Sequence, residues 1–185
     1  MAKKTKDKLK EFVREIDIPG GIDVEVDINK IKASKNGSEI KKKFDKVILE
    51  KKDNKLRIKA ERSTKREIKQ INTVMAHLKN IFSGLQEKFV YKLEICAVHF
   101  PMAVKVDGDE VKIKNFLGET NLRTAKIIKG AEVRIEGQKI IVESYDKEAA
   151  GQTAANIEKS VQQKVRDKRI FQDGIYITEK AGEAI

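Results

Sequence analysis

The sequence predicts an α+β fold: two tandem copies of a small domain, each an antiparallel β-sheet with one packed α-helix. Three observations lead to this prediction: a strand-turn-strand segment that occurs twice, a strand-to-helix segment that occurs twice, and one amphipathic helix pattern in each copy. A chain of 185 residues with 39% hydrophobic residues can form two small hydrophobic cores. We therefore expect folded structure over most of the chain.

The duplication is visible in two pairs of segments. VEVDINKIKASKNG, residues 24–37, aligns with VKVDGDEVKIKNFLG, residues 104–118. Further along, NKLRIKAERSTKREI, residues 54–68, corresponds to QKIIVESYDKEAAGQ, residues 138–152. Alternating apolar residues separated by Asn-Gly or Asp-Gly pairs are typical of antiparallel hairpins. A period of about 80 residues is too long for a solenoid repeat and indicates a duplicated domain.

Each copy then contains one predicted helix. Apolar residues at steps of three and four form the buried stripe of the first helix: Ile68, Ile71, Met75, Leu78, Phe82 and Leu85. Ser63 or Thr64 is its candidate N-cap. Smaller residues keep the same spacing in the second helix: Ala150, Ala154, Ile157, Val161 and Val165. Asp146 is its candidate cap, and the small side chains favour close packing on a sheet.

These patterns set the expected domain limits and the expected class of partner. We place a basic N-terminal extension at residues 1–15, a first domain at 16–86 and a second domain at 87–185. The chain has 40 Lys and Arg against 29 Asp and Glu, a net charge of +11. Such an excess attracts polyanions, so nucleic acid is the leading class of partner. The alternative is that a lysine-rich proteome makes many of its proteins basic.

Several other classes of function are excluded. No run reaches the roughly 18 apolar residues of a membrane span, so we expect a cytoplasmic protein without a membrane partner. The single cysteine, Cys96, excludes an intramolecular disulfide and a cysteine-cluster zinc site. His77 falls on the border of a helical apolar face, and His99 has no nearby pair of acidic ligands. No glycine-rich phosphate loop and no zincin helix motif occurs. We therefore expect no metal, no cofactor and no small-molecule substrate.

Four motifs, in this order, carry a resemblance to a known family: YKLEICAVHFPMAVKVDGDEV, IKNFLGE, DKEAAGQTAANIE and RDKRIFQDGIYI. Together they closely resemble the universal large-subunit ribosomal protein usually numbered six, in its archaeal and eukaryotic branch, where the eukaryotic member is numbered nine. The resemblance covers Ile16 to Ile177 and is strongest from about Asn72 onward. The first hairpin turn departs from the common Gly-Pro-Lys-Gly of relatives, because residues 34–37 read Ser-Lys-Asn-Gly.

The resemblance implies a structural constituent of the large ribosomal subunit rather than an enzyme. It implies two tandem antiparallel α+β domains and a position on large-subunit ribosomal RNA near the base of the stalk and the factor-binding region. The expected partners are this RNA and neighbouring ribosomal proteins. Phosphate contacts would supply affinity, and the arrangement of the two domains would recognise RNA shape.

We expect the second domain to be the main RNA-binding half. Its helix carries a polar face, its first turn places Lys147 beside exposed backbone donors, and a basic cluster precedes FQDGIYI. The full set of predicted RNA-binding residues is Lys112, Lys114, Asn115, Arg123, Lys147, Gln152, Asn156, Lys159, Gln163, Arg166, Lys168 and Arg169. The alternative for each is an ordinary solvated side chain, since basic helix faces are common.

Two other functions remain as alternatives. An RNA-modifying enzyme would need an acid, base or nucleophile with a shifted pKa, and Asp173 and His99 are lone candidates. We favour a hairpin turn for Asp173 and Gly174. An RNA chaperone would have low-complexity tails and exposed aromatic residues, which a chain with 5% aromatic residues matches poorly.

Phe116 and Leu117 stand where a polar turn would be expected, in the second copy of the repeated hairpin. The turn of the first copy is polar, so the hairpin itself does not require large apolar side chains. We expect the two residues either to pack between the domains or to contact an external partner, RNA or another ribosomal protein.

Overall fold

The computed structural model describes residues 13–35, 37–60, 64–163, 167 and 169–185. Contacts between residues divide the chain into two compact units, 1–86 and 87–185. Among the described residues the strands of both units pair antiparallel and one α-helix accompanies the sheets of each, which confirms the predicted α+β fold of two repeated units.

In the described residues the first unit contains, in chain order, β1 (Val13–Asp17), β2 (Asp23–Asp27), β3 (Lys30–Lys35), β4 (Ser38–Lys43), β5 (Ile48–Lys52), β6 (Lys55–Lys59) and α1 (Lys65–Gln86). One sheet has the order β1-β6-β5 and the other β2-β3-β4. Strand β1 begins before Ile16, the predicted start of the domain, because residues 13–15 already pair with β6.

In the described residues the second unit contains β7 (Phe89–Cys96), β8 (Ala103–Asp107), β9 (Glu110–Lys114), β10 (Arg123–Lys126), β11 (Ala131–Glu136), β12 (Lys139–Ser144), α2 (Lys147–Ser160), β13 (Gly174–Lys180) and β14 (Glu183–Ala184). One sheet has the order β11-β12-β7-β13-β14 and the other β10-β9-β8. The core of this unit lies where α2 packs against β7, β10, β12 and β13.

The order of the strands repeats between the units. β1, β6 and β5 of the first unit correspond to β7, β12 and β11 of the second, and the three-stranded sheets β2-β3-β4 and β8-β9-β10 correspond likewise. Corresponding strands do not begin at a constant separation in the sequence. The separation from the start of β6 at Lys55 to the start of β12 at Lys139 is larger than that from β2 at Asp23 to β8 at Ala103. Additional chain in the second unit lies between β9 and β10, at residues 115–122.

Both helices begin at the predicted caps. Thr64 Oγ1 accepts a hydrogen bond from the Glu67 N–H at 3.4 Å, and the Thr64 N–H donates to Glu67 Oε2 at 3.1 Å, a reciprocal arrangement that closes the first turn of α1. Ser63, the other candidate cap, lies outside the described residues. The Asp146 carboxylate accepts a hydrogen bond from the Glu148 N–H at 3.0 Å at the start of α2. Thr64 and Asp146 are therefore confirmed as N-caps.

Helix α2 is shorter than the spacing of its apolar residues predicts. It ends at Ser160, and Val161 follows with φ −108° and ψ 14°, outside helical geometry. Val161 is nevertheless buried in the core of the unit, while Val165 lies outside the described residues. Gly151 favours close packing of α2 on the sheet, because a Cβ there would lie 3.1 Å from the Tyr91 hydroxyl oxygen, a tight contact.

Phe116 and Leu117 are buried in the core of the second unit itself, at 1% and 9% exposure. Asn115 and Leu117 adopt left-handed backbone conformations with φ of 61° and 51°. The Glu119 N–H then donates to the Phe116 carbonyl at 2.9 Å, which closes a tight 3₁₀ turn over the sheet. The expectation of a partner outside the domain is corrected, because the longer connection folds back onto its own core.

Candidate nucleic-acid interface

The outward side of the sheet β8-β9-β10 carries lysines in a regular arrangement. Alternation along β9 buries Val111 and Ile113 and directs Lys112 and Lys114 to the opposite side. The outward set on the three strands consists of Ala103, Lys105, Asp107, Glu110, Lys112, Lys114, Thr124 and Lys126. We call this set the outer sheet face. A shallow cavity of about 420 Å³ lies along β8 and β9 on this side.

Charges on the outer sheet face are only partly balanced. Lys112 Nζ donates a hydrogen bond to Asp107 Oδ2 and forms an ion pair with it. This hydrogen bond raises the pKa of Lys112 above its ordinary value. Lys105 lies directly opposite Lys112 in the strand register. Like charges in such cross-strand positions repel each other, so a bound anion would relieve the repulsion.

Helix α2 joins the outer sheet face through a chain of amides. Gln152 Nε2 donates to Asn156 Oδ1 at 2.8 Å, and Asn156 Nδ2 donates to the Lys126 carbonyl at 3.0 Å. These bonds hold two predicted RNA-binding amides beside the end of β10. Lys159 is exposed at the last turn of the same helix. The structure therefore brings Gln152 and Asn156 next to Lys126.

Lys147 is the first residue of α2 and lies apart from this chain of amides. Its ammonium lies 5.6 Å from the centre of the Phe89 ring, within the range of a cation–π contact. The side chain is half-buried, so its charge is held near the start of the helix.

Three predicted residues make contacts within the unit. Asn115 Nδ2 donates to the Pro101 carbonyl at 3.0 Å. Arg123 donates to both carboxylate oxygens of Glu119 at 2.8 and 2.7 Å, and to the Ser160 carbonyl at 2.8 Å. Its guanidinium carbon lies 4.5 Å from the centre of the Phe116 ring. Arg123 therefore closes the 115–122 segment onto the end of α2.

Gln163 is the third of these residues, and it lies beyond the end of α2 rather than on the polar face of the helix. Its Nε2 donates to the carbonyls of Phe171 and Asp173, each at 2.9 Å. The side chain therefore holds the segment before β13. Arg169 is exposed in that segment, whereas Arg166 and Lys168 lie outside the described residues.

Asp173 and His99, the lone candidates for an acid and a base, lie in contact. The Asp173 carboxylate accepts hydrogen bonds from the Val98 N–H at 3.0 Å and the His99 N–H at 3.2 Å, and His99 Nδ1 lies 3.0 Å away. Burial alone would raise the pKa of Asp173, but these hydrogen bonds lower it below its ordinary value. The hairpin-turn interpretation of Asp173 is wrong, because its buried carboxylate ties the loop after β7 to the start of β13.

Sequence reasoning missed Lys105 and Lys126 as members of the outer sheet face. The alternation in VKVDGDEVKIK was a usable signal for Lys105, because it places this residue on the same side as Lys112. Lys126 had no comparable signal, since its position depends on the pairing of β10 with β9 across the 115–122 segment.

Among the described residues, no group of three or more His, Cys, Asp or Glu side chains could hold a metal ion. Neither of the helices in the described ranges has the length and apolar character needed to cross a membrane.

The fold and the outer sheet face define a basic, duplicated α+β protein with a lysine-bearing and amide-bearing surface suited to a polyanion. A family model described as ribosomal protein L6 matches residues 100–174. The chain is 42% identical over 176 residues to the large ribosomal subunit protein uL6 of Sulfurisphaera tokodaii, covering 94% of this chain and 95% of that protein.

Two further relatives carry the same name. The uL6 protein of Methanococcus vannielii is 41% identical over 174 residues, with 92% of this chain and 95% of the relative covered. That of Methanosarcina mazei is 41% identical over 175 residues, with 94% and 99% covered. The chain therefore belongs to the ribosomal protein L6 family, and the resemblance to its archaeal and eukaryotic branch is confirmed.

Proposed function

We propose that this protein is a non-catalytic structural constituent of the large ribosomal subunit that binds large-subunit ribosomal RNA, in cytoplasmic ribosomes. The similarity to large-subunit proteins over nearly the whole chain is the observation that carries the proposal. The net charge of +11 supports a nucleic-acid partner. The resemblance described above supports a position near the stalk base and the factor-binding region, beside neighbouring ribosomal proteins.

We propose the second unit, residues 87–185, as the main RNA-binding half, with contacts from the outer sheet face and α2. The contact residues in this proposal are Lys105, Lys112, Lys114, Lys126, Lys147, Gln152, Asn156, Lys159 and Arg169, with Arg166 and Lys168 outside the described residues. Arg123 and Gln163 position the backbone of this surface instead, because Arg123 donates to Glu119 and Ser160, and Gln163 Nε2 donates to two carbonyls of the same unit. Asn115 joins the contact residues, because its exposed amide, like those of Gln152 and Asn156, makes one internal bond and keeps a second hydrogen for RNA.

The mechanism is binding alone. Lysine ammonium groups contact RNA phosphates and release counterions, while the amides of Gln152 and Asn156 contact sugar or phosphate oxygens. Asp173 and His99 hold two loops together, which gives them a structural part in this proposal. Recognition then depends on the shape of the RNA, as expected for helical RNA with a narrow major groove.

The test is crosslinking in purified large subunits. A photo-reactive group is placed at Lys114, at Lys126 and, as a control on the edge strand β11, at Glu136. We expect the first two positions to crosslink to large-subunit RNA and the control to give little. Absence of RNA crosslinks from both Lys114 and Lys126 would remove the outer sheet face from the proposal.

A further inference from the structure

The outward face of α1, in the first unit, is a basic surface that the proposed interface does not use. Residues at alternating steps of four and three form a continuous stripe, and every member is exposed: Lys65, Lys69, Asn72, Ala76, Lys79, Ser83 and Gln86. The opposite side of α1 carries the core residues Ile71, Leu78 and Leu85. At 1.5 Å per residue, the 22 residues of α1 extend over about 33 Å.

The charges of this stripe have one sign. Lys65, Lys69 and Lys79 lie on it and Arg66 borders it, whereas no carboxylate occurs among its members. The acidic residue of the first turn, Glu67, is half-buried and is engaged with the N-cap threonine. Within the described part of the chain, none of the four cations forms an ion pair.

Some lysines on the sheets of the same unit differ from those of the stripe, because each of them is paired with a carboxylate. Lys41 lies 2.7 Å from Glu39, and Lys59 lies 2.8 Å from Glu50. The positive charge of these two lysines is therefore partly balanced within the protein, whereas the cations of the stripe on α1 have no ion-pair partner among the described residues. Helix α2, by comparison, carries Glu148 and Glu158 beside its lysines.

We propose that the outward face of α1 is a second RNA-binding surface, which contacts the phosphate backbone along the helix. The inference rests on the proposed function and assigns to the first unit a contact separate from the outer sheet face. Ala76 is small and exposed near the middle of the stripe, so a backbone can approach the helix between Lys69 and Lys79. Asn72 adds a donor for a phosphate or sugar oxygen.

An RNA partner fits this stripe better than an acidic protein. Protein interfaces depend on buried anchors such as Trp, Tyr or large apolar side chains. The seven members of the stripe include no aromatic and no large apolar residue. Point charges and amides without an apolar anchor match a phosphate backbone, which is bound electrostatically.

The sharpest test changes one charge at the centre of the stripe in the full chain. Ala76→Glu adds a carboxylate, and Ala76→Gln adds a side chain of nearly the same size without charge. We expect Ala76→Glu to weaken binding to a large-subunit RNA fragment about tenfold at low salt, and Ala76→Gln to change it less than about twofold. Both residues are good helix formers, and circular dichroism melting checks that the variants fold alike.

A second test removes charge. The variant with Lys65, Lys69 and Lys79 changed to Gln is compared with a control of equal net charge, with Lys32, Lys43 and Lys55 changed to Gln; each control lysine is paired with a carboxylate. For three lost phosphate contacts, the slope of log affinity against log salt should decrease by about 2 to 3 in the stripe variant. The control should keep a slope close to that of the unchanged protein.

The outcomes separate the two proposals. If the unchanged protein does not bind ribosomal RNA, the proposed function fails and this inference fails with it. If it binds but the stripe variants match their controls, the proposed function stands and the α1 surface is refuted. Unchanged RNA affinity together with poorer incorporation into large subunits would assign the stripe to an acidic protein and would also overturn the RNA contact.

Discussion

The two units share one order of strands, but the second and third strands of the repeated three-stranded sheet are connected differently in each. In the first unit, β3 and β4 are joined across residues 36–37, whereas residues 115–122 join β9 and β10 in the second. The longer connection places Phe116 and Leu117 in the core and is closed by Arg123. The residues that repeat between the units therefore specify the shared fold, whereas the 115–122 segment adds core packing that belongs to the second unit alone.

A second difference lies at the edge of the larger sheets. Strand β1 is at the edge of its three-stranded sheet, whereas β13 pairs with the corresponding strand β7 in the second unit. The start of β13 is fixed by Asp173, which binds the loop after β7. The second unit is therefore stabilised by two features that its counterpart lacks in the described residues, and each can be removed separately.

The largest effect is expected from Phe116→Ala. Phe116 is 1% exposed, and deletion of a buried aromatic side chain costs about 3 kcal/mol or more because a cavity remains. Hydrogen exchange of the amides of β7 and β12 measures the opening free energy of the second unit alone. Lys35→Ala, near the corresponding turn of the first unit, should change stability by about 0.5 kcal/mol or less.

Two results would contradict this prediction. A Phe116→Ala variant with unchanged exchange in β7 and β12 would show that the 115–122 segment is not part of the core. A similar loss from Lys35→Ala would show that the short turn carries as much stability as the long connection.

A smaller effect is expected from Asp173→Asn, about 1 to 3 kcal/mol, because the buried carboxylate accepts backbone hydrogen bonds that an amide satisfies poorly. The lowered pKa of Asp173 gives this contribution a pH dependence. The carboxyl is ionised in both folded and unfolded chains at neutral pH, so the contribution is fully present there. It is lost as the pH falls below about 4, through the lowered pKa of the folded state.

The measurement is the unfolding free energy of both proteins between neutral and acidic pH. The difference between the unchanged chain and Asp173→Asn should shrink as the pH falls below about 4. The control is Asp17→Asn in β1, whose carboxylate lies 3.5 Å from Lys55 in an exposed pair, with an expected effect of about 0.5 kcal/mol or less. A pH-independent difference for Asp173→Asn would refute a role for its ionised form.

The sequence was sufficient for features that depend on local pattern. The duplicated hairpins, the helix caps at Thr64 and Asp146 and the α+β class all follow from alternation, spacing and capping chemistry. The sequence pattern did not predict features that depend on tertiary contacts. The left-handed backbone at Leu117 and the burial of the Asp173 carboxylate have no local signal, because both depend on segments far away in the chain.

The candidate site shows the same division. Lys112 and Lys114 were predicted and lie on the outer sheet face, since strand alternation places them there. The spacing places Gln163 on α2, but the helix ends at Ser160 and the Gln163 amide donates to two carbonyls of the segment before β13. Composition indicates which side chains can bind RNA, but the internal partners of a polar side chain become visible only in the fold.

The last and smallest effect concerns Arg123, whose charge alone would suggest an RNA contact. Its guanidinium binds Glu119 through two bonds and lies over the Phe116 ring, so we expect a structural role. In a double-mutant cycle of Arg123→Gln and Glu119→Gln, the coupling energy should be about 1 kcal/mol. The exposed pair Arg57 and Glu15 of the first unit should give about 0.2 to 0.5 kcal/mol.

The same contacts predict a small effect on RNA binding. The RNA affinity of the folded Arg123→Gln variant should change less than about twofold, since a side chain bound within its unit has few donors left for phosphate. A larger loss of affinity without loss of stability would return Arg123 to the RNA-binding surface, and would show that the 115–122 segment serves recognition rather than the fold.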